Sequence, residues 1–82
     1  METRVALISM IVQDQESALE INALLHAYRQ YIIGRMGIPY APKKISIISI
    51  AIDAPQDIIS ALSGKLGALR GVSAKTVYSK VE

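Results

Sequence analysis

The chain has 82 residues, 51% of them hydrophobic, with 9 Lys and Arg against 7 Asp and Glu, one His and no Cys. That length points to one small domain spanning residues 1–82, and the missing cysteine excludes disulfides, thiolate metal sites and a cysteine nucleophile. The net charge of +2 is too weak and too scattered for tracking phosphates, and the one basic pair, Lys43-Lys44, reads as a solvated turn.

A mean hydropathy of +0.33 is high for a small soluble monomer. Either the chain enters a membrane or it hides apolar surface between copies of itself. No apolar run approaches the ~20 residues of a spanning helix, so no membrane insertion is expected. Met1 to Arg4 leads directly into a strand-like pattern without a cleavage site, so no secretory leader is expected either. The cysteine-free composition accords with a cytoplasmic location.

Arg4 to Val12 predicts a first strand. Val5, Leu7, Ser9 and Ile11 fall on one face and Ala6, Ile8, Met10 and Val12 on the other. A strand covered on one side alternates apolar and polar residues; this one is apolar on both, so burial of both faces is expected. Asp14 follows as an N-cap, with Glu16 complementing the helix dipole. The helix is predicted to run to about Tyr28, with Ala18, Ile21, Leu25 and Tyr28 on one stripe beside Leu24.

Tyr31 to about Met36 reads as a second strand and Gly37 to Pro42 as a connection, because two prolines three residues apart oppose continuous pairing. Lys44 to Asp53 is a third strand, again apolar on both faces. Pro55 fits the first turn of a second helix. That helix carries a stripe of Ile58, Ile59, Leu62 and Leu66, with Gly67 as its C-cap. Gly64 inside it costs stability, and a close helix–sheet or helix–helix contact is one reason for tolerating it. Leu69-Arg70-Gly71 is a turn, and Val72 to Val81 a fourth strand with Val72, Ala74, Thr76 and Tyr78 on one face.

The order β-α-β-β-α-β defines an α+β, ferredoxin-like arrangement. Its four-stranded antiparallel sheet carries both helices on one face. The first and third strands are the central pair of that topology, and they are the two with apolar residues on both sides. Helices cover only one side of the sheet. A second copy of the sheet is therefore the expected cover for the other, through the open face or an edge, as a dimer or tetramer.

Residues with chemistry to offer are few. No nucleophile elbow, phosphate loop or dinucleotide fingerprint is present, so no enzyme is expected. His26 is the lone histidine, which suits a helix-end surface residue better than a metal ligand, and neither metal nor cofactor is expected. The exception is Tyr31-Ile-Ile-Gly-Arg-Met-Gly-Ile-Pro-Tyr40. Glycine in a strand marks a bulge or the close approach of a backbone or ligand. Arg35 between Gly34 and Gly37 offers a fork of donors to a carboxylate or phosphate. Either these residues shape an edge strand while Arg35 pairs with an acidic residue, or they receive a ligand or partner. On the second reading the candidate site is Gly34, Arg35 and Gly37, with His26 and Tyr40 beside them.

That ten-residue run carries a resemblance, together with Ile45-Ser-Ile-Ile-Ser-Ile50, Ile59-Ser-Ala-Leu-Ser-Gly-Lys-Leu-Gly67 and Gly71-Val-Ser-Ala-Lys75. Over nearly its whole length the chain resembles the small family of iron-only hydrogenase system regulators. The resemblance implies a ferredoxin-like, ACT-like fold, similar to the C-terminal domain of the nickel-responsive regulator, and a regulatory role, transcriptional in kind, exerted through a small-molecule effector or a protein partner. Three departures bear on it. The few residues ahead of the first strand leave no room for a helix-turn-helix or ribbon-helix-helix, so no direct DNA-binding motif is expected. The nickel regulator's several His and its Cys have no counterparts here, so its metal site does not carry over. The first strand-to-helix turn, Val12-Gln-Asp-Gln15, also lacks the glycine common in ACT domains. The alternative to a sensing module is a structural or interaction subunit that takes no small-molecule ligand.

Overall fold

The computed structural model describes residues 2–80. Four strands form one antiparallel sheet: β1 (Arg4–Val12), β2 (Ile32–Tyr40), β3 (Ile45–Ala54) and β4 (Val72–Tyr78), in the order β2-β3-β1-β4. Two helices, α1 (Ala18–Ala27) and α2 (Gln56–Gly67), cross over to connect β1 with β2 and β3 with β4. This is the ferredoxin-like arrangement expected from the element order.

Both helices lie on one side of the sheet, and the core forms between them and the central strands. Ala6, Ile8, Met10 and Val12 of β1 meet Ile50, Ile52 and Ala54 of β3, under Ile21 and Leu25 of α1 and Ile59, Leu62 and Leu66 of α2. Apolar residues recur every second position in the strands and at helical spacing in the helices, so each element presents one continuous stripe to the others. Ala18 falls outside that stripe and is exposed, because the buried flank runs through Ser17, Ile21 and Leu25 at intervals of four.

Three boundaries differ from the sequence reading. A 3-10 turn at Gln15–Ser17 precedes α1, and Asp14 caps it by accepting the Glu16 N–H at 2.9 Å. The Ser17 hydroxyl, buried at the same corner, donates to the Arg70 carbonyl at 2.6 Å, tying the start of α1 to the turn before β4. Another 3-10 turn, Arg29–Tyr31, delays β2 to Ile32. β2 then runs on to Tyr40, pairing Gly37 with Ile48, Ile38 with Ile47 and Pro39 with Ser46, instead of ending near Met36. β2 is an edge strand, and such a strand spends only alternate N–H groups on its neighbour, so Pro39 can stand there without removing a bond.

Two glycines also differ. Gly67 is the last residue of α2, whose C-cap Ala68 keeps a right-handed conformation; the left-handed glycine is Gly71, with φ 70°. At Gly64 a Cβ would meet nothing within 4 Å, so no close packing contact explains that residue. β4 ends at Tyr78, with the Ser79 N–H still donating to the Val5 carbonyl at 2.8 Å; Val81, the expected end of the strand, lies outside the described residues.

The second face of the sheet is open in the single chain. Val5, Leu7 and Ile11 of β1, Met36, Ile38 and Tyr40 of β2, Ile47 of β3 and Val77 of β4 lie there, each 36% to 64% exposed. The expectation that both faces of β1 are buried therefore holds within one chain only for the helix side. At the centre of the open face the hydroxyls of Ser9 and Ser49 approach to 3.3 Å, a small polar pair among apolar neighbours, with Lys75 opposite Ser9 on β4.

Candidate functional site

Arg35 takes its place from an irregularity in β2. Ile32 pairs with Ile52 and Gly34 with Ala51, leaving Ile33 as an extra residue between them. A bulge of this kind shifts the alternation by one. Ile32 and Arg35, three residues apart, consequently both face the helices, since their partners Ile52 and Ile50 are core residues. Gly34 faces the open side with Ala51, whereas Gly37 returns to the helix side opposite Ile48.

Helix α1 supplies the opposite wall. Asn22, Leu25 and His26 stand at i, i+3 and i+4 and so share one flank, and Arg29 follows in the 3-10 turn just past the helix. With Ile32 and Arg35 they line a shallow groove of about 390 Å³ between α1 and the β2 edge. Leu25, at 3% exposure, belongs to the core and forms its apolar floor with Ile32. Both terminal nitrogens of Arg35 point at the Asn22 side-chain oxygen, each at 3.4 Å. Arg29 donates to the His26 carbonyl at 2.9 Å, closing the C-terminal end of α1.

The five residues singled out in the sequence are thus divided. His26 and Arg35 meet in this groove. Gly34 borders a second, open hollow on the other face with Leu7, Met36, Ser49 and Ala51, where Arg35, its neighbour in the chain, also forms part of the lining. Tyr40 lies on that open face at 44% exposure. Gly37 is on the helix side but lines neither hollow. A Cβ at Gly34 or Gly37 would meet nothing within 4 Å, so within the chain no backbone approaches them. Arg35 finds an amide, not the acidic partner expected of a purely structural arginine.

Asn22 and Arg29 escaped the sequence reading. Asn22 had a signal in its helical spacing with His26, off the apolar stripe, whereas Arg29 lies past the end of α1, and nothing local announces which strand either will face. Among the described residues no three His, Cys, Asp or Glu side chains gather into a metal-binding group, and no helix is long and apolar enough to cross a membrane.

The fold and this edge groove define a ferredoxin-like α+β protein with one helix-covered and one open sheet face. The model of the TM1266-like family, described as "Iron-only hydrogenase system regulator, putative", matches residues 4–76, and the chain belongs to that family. Among solved structures it is similar to the uncharacterized protein TM1266 from Thermotoga maritima, at 39% identity and a TM-score of 0.90, over 96% of this chain and 100% of that one. No curated protein matches the sequence. The family name describes a regulator and not an enzyme.

Proposed function

We propose that the chain is a non-catalytic regulatory module of the iron-only hydrogenase system, one ACT-like domain acting in the cytoplasm as a homo-oligomer. Copies meet across the open sheet face. A small-molecule effector or a protein partner supplies the input, and transcription of the hydrogenase system is the output. Family membership supports the system and the regulatory class.

The observation that carries the oligomeric part is the row of eight large apolar side chains on the open face. Each keeps roughly half its surface, so covering it gains about 1 kcal/mol by area bookkeeping. A contiguous apolar face of this kind marks an interaction surface. Near the middle of the face the Ser9–Ser49 pair gives a second sheet a polar point on which to register.

The test is transcript abundance for the hydrogenase system in a host deleted for this chain, complemented either by wild type or by the double variant Leu7→Glu/Ile47→Glu. Wild type restores the normal level and the open-face variant does not. A transcript level indifferent to the deletion contradicts the regulatory reading.

A further inference from the structure

We propose that the groove between α1 and the β2 edge is a binding site for a small oxyanion, a phosphate monoester or a carboxylate carrying a short apolar body. Four observations converge there. First, Arg29 and Arg35 line the same groove, and no carboxylate lines it with them. The ion pair formed among the described residues is Arg70 with Asp14, at the other end of α1; neither groove arginine has such a partner. Second, the bonds the two arginines do make are replaceable. Arg35 holds the Asn22 oxygen through two long contacts of 3.4 Å, and Arg29 holds a backbone carbonyl through one nitrogen. A guanidinium has five N–H donors, so most remain for a ligand, and two parallel ones match a carboxylate or phosphate edge.

Third, the His26 ring shares the groove and has no hydrogen-bond partner among the described residues. Fourth, Leu25 and Ile32 supply an apolar floor, which favours a ligand with a few carbons over a bare ion. One feature opposes an anion. The groove lies at the C-terminal end of α1, where the helix dipole contributes about half a negative charge. Arg29 already bonds one of those terminal carbonyls, and two full positive charges outweigh the remainder. The larger groove between the helices, about 490 Å³, has no such character: it holds Glu20 and Lys65, and Lys65 is engaged with the Tyr28 hydroxyl at 3.0 Å.

The bulge at Ile33 is what builds the site. Without it, Ile32 and Arg35 would face opposite sides of the sheet. The groove is on the helix side, so a second copy on the open face leaves it accessible. Assigning the ligand as an effector rests on the regulatory reading above; the binding itself does not.

The test is a heteronuclear NMR titration of the full chain with inorganic phosphate, glycerol 3-phosphate and succinate as separate probes. Saturable shifts are expected at the amides of Asn22 to Arg29 and Ile32 to Arg35, with at least one organic probe tighter than inorganic phosphate. The stronger of glycerol 3-phosphate and succinate identifies the headgroup. Arg29→Gln/Arg35→Gln should weaken that probe at least tenfold while retaining the wild-type pattern of dispersed signals, and Arg70→Gln should leave it unchanged. Non-saturating shifts with all three probes, shifts centred elsewhere, or equal weakening by Arg70→Gln overturn the proposal. Binding without any change in hydrogenase transcripts overturns only the effector role.

Discussion

At the scale of single residues, two glycines predict opposite outcomes for the same substitution. Gly71 has φ 70°, and a Cβ built on it would lie 2.6 Å from the Asp14 Cβ and 2.8 Å from the Asp14 backbone nitrogen. The corner is held by the Gln13 N–H donating to the Gly71 carbonyl at 2.7 Å, so the backbone cannot simply retreat. Gly71→Ala should therefore cost at least ~2 kcal/mol from left-handed strain and collision together. Gly64 lies in an exposed turn of α2 with open space where a Cβ would go. Gly64→Ala should instead add about 0.5–1 kcal/mol. Urea unfolding of both variants checks the pair; a neutral Gly71→Ala contradicts the described turn. Local sequence did not separate these roles. Gly67 and Gly71 both stand near the end of a predicted helix, and which one takes positive φ depends on where the chain must turn to meet Asp14. Arg35 was legible because it lies between glycines, whereas Arg29 and Asn22 acquire their role only when the bulge turns Arg35 toward α1.

At the scale of elements, the edge position of β2 explains why a proline stands inside a strand. Pro39→Ala should change stability by less than ~1 kcal/mol, since no sheet bond is gained or lost. Ile48→Pro in β3, paired with Met10 on one side and Gly37 on the other, should remove a ladder bond in the sheet interior and cost ~3 kcal/mol or more. Thermal denaturation followed by circular dichroism compares the two, and equal losses would contradict the order β2-β3-β1-β4. The strands and helices themselves were legible from periodicity, because each buries a regular stripe. The extent of β2 was not. A proline stops a central strand but not an edge strand, and edge or centre is a property of the assembled sheet.

At the scale of the whole molecule, the doubly apolar patterns of β1 and β3 indicated a sheet with two faces to cover, and one chain covers only one. Ile8, Met10, Ile50 and Ile52 are essentially inaccessible, whereas Leu7 and Ile11 keep 46% and 44% of their exposure. Which surface covers them lies beyond the reach of a single sequence, because the complement is in another molecule. The self-complementary choice is a second copy, since an isologous contact lets one patch serve both sides. Lys75 of β4 is the cation paired opposite Ser9 on that face, and a charge placed nearer the centre should break the contact without touching the core. The most direct measurement is sedimentation equilibrium of wild type and Leu7→Glu/Ile47→Glu at micromolar concentration. Wild type should sediment as a dimer or tetramer, and the variant as a folded monomer with unchanged far-ultraviolet circular dichroism. A wild-type chain that stays monomeric at those concentrations contradicts the central claim that the open sheet face is an interface between copies.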